Sequence, residues 1–252
     1  MREHDEVITP PAVRLRRALR RGGALAALGA TTLTIVWVAV LALSPQVPAG
    51  AAASERLAWL AVHAEWHLAG FAIVVPLALL YVPMWLGLAA VLWDRAPAAG
   101  VLGVAFGLLY APVGLLGYWL QLTVVRGLVQ LRASDPEEAL AVVRVLHFDG
   151  APWSLGYALA VLGYALWGLA AVAVAAGLLR LPNALAHWTG IFFALAGLLS
   201  VVGAIGFVAG AAALEQGVLL SGVASVLASA GTALLLHRAD DPAPGRHGRA
   251  RI

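Results

Sequence analysis

Six long apolar stretches follow one another along the chain, separated by short segments rich in polar residues, proline and glycine. Each stretch has about 20 residues or more, the length that a helix needs to cross the hydrocarbon core of a bilayer. The pattern therefore predicts an all-α fold, a polytopic membrane protein built as a bundle of six transmembrane helices. The predicted spans cover residues 23–43, 67–93, 97–125, 152–179, 188–208 and 216–236.

Two shorter helices are predicted outside the spans. Ser54 has the character of an N-cap and would begin a helix over 55–66. A straight helix from there to Trp93 would measure about 58 Å, too long for one crossing, so we expect 55–66 to lie along the membrane surface. The run Ser134-Asp135-Pro136-Glu137 has the Ser-x-x-Glu form of a capping box and predicts an amphipathic helix over 135–146.

Arginine is distributed unevenly between the segments that flank the six spans. If residues 1–22 lie inside the cell, the inner segments hold twelve arginines and the outer segments hold four. Cytoplasmic segments carry the excess of positive charge, so we predict that both termini are cytoplasmic. Residues 1–22 then form a basic tail, and residues 237–252 form a disordered one. The first apolar stretch exceeds the roughly 7–15 residues of a signal peptide, so we expect an uncleaved anchor.

The amino-acid composition excludes several classes of functional site. The chain is 62% hydrophobic, 12% charged and without cysteine, which excludes disulfides, thiol catalysis and iron–sulfur clusters. All sixteen basic residues are arginine, so no lysine Schiff base can form, and this usage is typical of a GC-rich bacterial genome. We expect the bacterial plasma (inner) membrane as location, with the lipid bilayer as partner and no nucleic acid. The centres of the spans carry no Asp, Glu, Arg or His, which argues against an ion-coupled transporter.

Spans 2, 3 and 4 each concentrate aromatic and polar side chains on one helical face. These faces are expected to point inward, because tyrosine, glutamine and histidine need polar partners that lipid tails do not offer. They predict an outward-opening, aromatic-lined pocket between these spans for a lipid-like or small hydrophobic ligand. The other interpretation is plain helix packing. The candidate ligand-binding residues are His67, Gln121 and Arg126 for a polar head group, and Tyr118, Trp153 and Tyr157 for the neck of the pocket.

A second hypothesis starts from the two histidines of His63-Ala64-Glu65-Trp66-His67. Residues four apart share a helical face, whereas Glu65 lies about 200° around from His63, so this is not the His-Glu-x-x-His motif of zinc proteases. His147 and Asp149 are predicted on the same side of the membrane. Together His63, His67, His147 and Asp149 could bind a divalent metal such as zinc, as in an outward-facing metal-dependent membrane enzyme. No other cofactor is predicted.

A third hypothesis is a structural or assembly subunit of a membrane complex. Gly103 with Gly107, and Gly206 with Gly210, form small-xxx-small pairs, which allow helices to approach closely. These pairs could serve packing within the bundle or a homodimer. The sequence leaves open whether the protein is an enzyme.

The stretch GYWLQLTVVRG, followed by a polar loop and SLGYALAVLGY, resembles a pattern in uncharacterised bacterial six-span integral membrane proteins. The resemblance covers residues 117–165 and the six-span layout. It implies no activity, and it draws attention to Tyr118, Gln121, Arg126 and Tyr157. Those proteins often carry a glutamate just before Leu-Gly-Tyr, where this chain has Trp153-Ser154.

Overall fold

The computed structural model describes residues 10–47, 51–147 and 154–239, and within these ranges it contains seven α-helices. Six of them, all except α4, are long and apolar enough to cross a membrane. The prediction of an all-helical, multi-pass membrane protein is thereby confirmed. Asp149, Trp153 and most of the predicted tail 237–252 lie outside the described residues. The helices are α1 (Pro11–Leu43), α2 (Ala53–Leu92), α3 (Pro97–Ser134), α4 (Pro136–Leu146), α5 (Leu155–Leu178), α6 (Ala184–Ala209) and α7 (Ala212–Arg238).

Helices α1, α2 and α3 extend by more than two turns beyond the predicted spans, and α6 and α7 begin about one turn earlier than predicted. Helix α1 begins at Pro11, so five of the six arginines of the predicted basic tail belong to α1, and Arg2 lies outside the described residues. Helix α2 has 40 residues and starts at Ala53, and within it His63 departs from helical geometry with φ −125° and ψ 23°. Helix α3 continues to Ser134. A helix satisfies its own backbone hydrogen bonds, so it can run from the hydrocarbon into the interface without leaving them unpaired.

Two helix starts differ by a residue or two from the predicted caps. Ala52 precedes α2, and its backbone N–H donates to the Glu55 carboxylate at 2.8 Å, whereas Ser54 lies already inside the helix. At α4 the Asp135 carboxylate accepts a backbone N–H of the first turn at 3.0 Å, and Ser134 is the last residue of α3. Carboxylates are favoured at both places because the start of a helix carries partial positive charge.

The six spanning helices form a closed ring. Helices that follow each other in the chain pack side by side, with α5 following α3, and α1 closes the ring by packing against α7. Helix α2 also contacts α5 and α7 across the ring. The short helix α4 lies against α3, α2 and α5. Because the connections α2–α3 and α6–α7 are short, the helices that they join run antiparallel.

Two polar contacts define which helix ends lie together. Arg16 Nη1 donates to the two carboxylate oxygens of Asp94 at 2.9 and 2.8 Å, which joins the start of α1 to the α2–α3 turn. Arg20 Nη1 donates to the carbonyl oxygen of Ala239 at 3.0 Å, which joins α1 to the end of α7. The α1–α2 connection, α4 and the α6–α7 turn therefore lie together at the opposite end of the ring. We call this opposite end the distal end.

Large aromatic side chains fill the centre of the ring. Trp85 and Phe193 are 1% and 0% exposed, and their ring centroids lie 5.4 Å apart. Tyr81 packs edge-on against its neighbours on α3 and α5, with centroid distances of 6.0 and 5.7 Å. The aromatic faces of spans 2, 3 and 4 thus point inward and pack largely against one another. The members of this central cluster are Tyr81, Trp85, Tyr110, Trp167 and Phe193.

The small-xxx-small glycines take part in packing within the chain. A Cβ on Gly103 would overlap Val174 of α5, and one on Gly107 would overlap the indole of Trp85. A Cβ on Gly206 would stand 2.6 Å from Cβ of Leu214 on α7. Gly210 ends α6 in the left-handed conformation with φ 66°, which other residues rarely adopt. A homodimer through these faces stays a prediction.

Replacing Gly107 with Ala should destabilise the protein, because the added methyl group cannot fit beside the buried Trp85 indole. Overpacking of this kind costs about 1–3 kcal/mol. Gly127 on the same helix is the matched control, since a Cβ there meets nothing within 4 Å. Gly127→Ala should be neutral or should stabilise by about 1 kcal/mol or less, through helix propensity. Thermal unfolding in detergent measures both variants, and equal behaviour would contradict the central packing.

Candidate functional site

Three polar side chains from three helices meet inside the distal end. His67 lies on α2 one turn after the irregular His63, Gln121 lies on α3, and His147 directly follows α4. The rings of His67 and His147 stack with centroids 4.9 Å apart, and a side-chain hydrogen bond links His67 to Gln121. Gln121 Nε2 also donates to the carbonyl oxygen of Leu146 at 3.0 Å. We call His67, Gln121 and His147 the distal cluster.

An apolar contact beneath the distal cluster holds α4 in place. The buried face of α4 consists of Ala139 and Val143, both 0% exposed, and it follows the i, i+4 spacing of an amphipathic helix. This face packs against two helices at once. The contacted side chains are Leu57 and Leu60 of α2, and Val125 and Leu128 of α3. Apolar burial therefore docks α4, and the distal cluster adds directional contacts at its end.

Burial controls the charge of His147. The side chain is 3% exposed, and desolvation lowers its pKa to about 3, with His67 and Arg56 lowering it further. His147 is therefore neutral at physiological pH. The Nε2 atom of His67 is also buried, and it has no hydrogen-bond partner among the described residues. The distal cluster thus offers neutral imidazole nitrogens rather than positive charge.

A cavity of about 520 Å³ lies next to the distal cluster, and we call it the distal cavity. It is enclosed mainly by α1, α2 and α7, with His147 and single residues of α5 and α6. Apolar and polar side chains both line the cavity. The apolar lining includes Trp37, Phe71, Phe207 and Leu219, and the polar lining includes Gln46, Arg56, His67, His147, Glu215 and Gln216.

Several residues that line the distal cavity are not among the predicted site residues. Trp37 comes from span 1, and Glu215 and Gln216 come from the start of α7. The sequence does indicate where Glu215 and Gln216 lie, because the predicted topology places both on the same side of the membrane as His67. The sequence does not indicate that α1 packs against α7, and this packing brings span 1 beside the last span.

The predicted pocket between spans 2, 3 and 4 is nearly closed in the structure. The space between α2, α3 and α5 measures about 10 Å³, room for roughly one water molecule. Tyr118 lines it, and the ring of Tyr118 lies 6.0 Å from that of Phe71. The other residues along this space include Gly114, Gly117 and Gly163, where α3 and α5 lie close together. Phe71 also lines the distal cavity, so the larger space begins directly beside the predicted one.

The remaining candidates for ligand binding are not brought together. Tyr157 packs edge-on against Phe207 of α6, with ring centroids 5.1 Å apart. Arg126 lies on the exposed side of α3, whereas Gln121 on the same helix is 1% exposed and faces the interior. Trp153 lies outside the described residues. A role for these residues in ligand binding stays a prediction.

The four candidate metal ligands are only partly placed. His67 and His147 meet in the distal cluster, while His63 packs against Trp59 with ring centroids 5.3 Å apart. Asp149 lies outside the described residues. In the described parts of the chain, no group of three or more His, Asp or Glu side chains could hold a metal ion. Zinc binding by this set stays a prediction.

Comparison with known proteins returns no match for this chain among protein-family models, curated protein sequences or solved structures. The proposed function therefore rests on the geometry of the distal end.

The docking of α4 should weaken in mild acid. His147 has a pKa of about 3 when buried, against 6.5 for an ordinary histidine, so the undocked state binds more protons between these values. The contribution of His147 is thus complete above about pH 6.5 and is lost as the pH falls toward 3. At pH 5 the loss should be on the order of 2 kcal/mol.

Hydrogen exchange of residues 136–146, corrected for its intrinsic pH dependence, measures this docking. Exchange should speed up between pH 7 and pH 5 in the wild-type protein. His147→Gln replaces the imidazole by a neutral side chain and should remove most of the pH dependence. The same acceleration in both proteins would show that another group is responsible.

Proposed function

We propose that this integral membrane protein binds a lipid-like or small hydrophobic ligand that carries a polar head group. The observation that supports this most is the distal cavity, whose volume of about 520 Å³ lies within the usual range of ligand sites. In this proposal the binding site lies between α1, α2 and α7 rather than between α2, α3 and α5.

The head group would bind at the polar lining of the cavity. Arg56 and Glu215 supply charges of both signs, which suits a zwitterionic or neutral head group better than a strongly anionic one. Gln46 and Gln216 add amide groups that can exchange hydrogen bonds with such a group.

The hydrophobic part would lie between the apolar side chains of three helices. Trp37, Phe71 and Phe207 present broad aromatic surfaces to the cavity, against which a hydrocarbon chain can pack. The proposal places the distal end on the outer side of a bacterial plasma membrane. The uneven distribution of arginine supports this orientation.

The metal-dependent enzyme is the second hypothesis, and the pairing of His67 with His147 at 4.9 Å is the observation that favours it. Zinc in a molar ratio near one in purified protein, lost on His147→Ala, would support this hypothesis. Metal-free protein that folds normally would remove it. A structural or assembly subunit is the hypothesis that remains if neither ligand nor metal is found.

Filling the distal cavity should expel the ligand. Gly70 is buried, lines the cavity, and a Cβ placed on it meets nothing within 4 Å, so a larger side chain there would enter the open space. Gly70→Phe should reduce the amount of co-purified lipid by roughly tenfold or more, because one aromatic ring occupies the ligand's volume. Mass spectrometry of extracted lipids, per mole of protein, gives the amount.

The matched control is Gly222→Phe on α7. A Cβ on Gly222 likewise meets nothing within 4 Å, and Gly222 does not line the distal cavity. This variant should keep its lipid. Equal lipid content in the wild-type protein and both variants would contradict the proposed binding site.

A further inference from the structure

A second large space lies on the outer surface of the ring, between α5 and α6. It measures about 970 Å³, and we call it the α5–α6 groove. Apart from the hydroxyl group of Tyr157, its lining side chains are hydrocarbon. Leu162, Ile205 and Val208 line it and are 48%, 55% and 82% exposed. Because these residues belong to membrane-spanning helices, the groove opens toward the lipid tails.

The groove lies on the distal side of a close crossing of α5 and α6. A Cβ on Gly168 would lie 2.8 Å from the carbonyl oxygen of Gly197, and one on Gly197 would lie 2.6 Å from that of Gly168. The two backbones are thus in direct contact at this crossing. All groove residues lie on the distal side of it, within 157–165 on α5 and 201–210 on α6.

At the distal end, α6 packs tightly against α7 instead. A Cβ on Gly203 would lie 2.9 Å from the backbone nitrogen of Val218, and one on Gly206 would lie 2.7 Å from that of Glu215. Helices α6 and α7 therefore form one closely packed hairpin, and the groove lies between this hairpin and α5.

Phe207 stands between the groove and the distal cavity, since it lines both spaces. Its half-buried ring packs edge-on against Tyr157, which lines the groove. Phe207 is thus a wall residue of both spaces, and an aromatic ring can change rotamer without any change in the helices.

We propose that the ligand is a membrane lipid that reaches the distal cavity sideways, through the α5–α6 groove, with the Tyr157–Phe207 pair as a gate. This inference rests on the proposed function. The acyl chain occupies the groove and then the apolar part of the cavity, while the head group moves along the distal end toward Arg56 and Glu215. A route through water would expose the acyl chain, whereas the groove keeps it in contact with hydrocarbon throughout.

The test uses the full chain in nanodiscs of phosphatidylethanolamine and phosphatidylglycerol. A trace of phosphatidylethanolamine with a photoreactive group at the end of one acyl chain is added, and samples are irradiated at increasing times. Peptide mass spectrometry then locates the label. In the wild-type protein we expect label first at Leu162 and Ile205 in the groove and later at Phe71 and Trp37 in the cavity.

Two variants should change the rate of cavity labelling in opposite ways. Ala158 is exposed and lines the groove but not the cavity, so Ala158→Trp should slow cavity labelling by roughly tenfold or more and leave its final level unchanged. Phe207→Ala removes half of the gate and should speed cavity labelling. The matched control is Ala105→Trp on α3, which is exposed, lines neither space and should behave as the wild-type protein does.

The outcomes separate the two proposals. Cavity labelling whose rate is unchanged by both Ala158→Trp and Phe207→Ala would overturn the lateral route and leave the ligand site standing. Absence of cavity labelling in the wild-type protein, at any time, would overturn the proposed binding site and the route together. A slowed Ala158→Trp and an accelerated Phe207→Ala, with an unchanged control, would establish the route.

Discussion

The whole structure depends on one constraint, which is that every backbone N–H and carbonyl group inside a bilayer needs a hydrogen-bond partner within the protein. Six long helices meet this constraint, and most hydroxyl groups within them follow it as well. Thr34 and Thr232 each donate to the carbonyl oxygen four residues earlier at 2.8 Å, and Ser200 pairs with Ser221 at 2.6 Å. The remaining polar chemistry is consequently concentrated at the ends of the ring.

Side-chain volume decides where space remains inside the ring. The aromatic cluster around Trp85 fills the middle, and glycines such as Gly107 allow the helices to close around it. Toward the distal end α1, α2 and α7 enclose a cavity that both aromatic and polar side chains line. The ring therefore combines a packed centre with open volume at its distal end.

The distal end joins three features that work together in the proposed function. Apolar burial docks α4 beside the cavity, and the hydrogen bond from Gln121 to Leu146 adds a directional contact at the end of α4. The cavity itself combines a polar lining with an apolar one, and the α5–α6 groove reaches it at Phe207. In the proposed function, these features hold the head group of an amphiphile among polar side chains and its hydrocarbon chain beside aromatic rings.

The sequence by itself determined the spans, because the length and hydrophobicity of a membrane helix are local properties. It also identified the inward faces of spans 2, 3 and 4, including His67 and Gln121, from helical periodicity. Only the tertiary structure decided which helices became neighbours and how much volume their side chains left between them. For that reason the pocket expected beside Tyr118 measures about 10 Å³, and the cavity lined by Trp37, Arg56 and Glu215 lies between helices far apart in the chain.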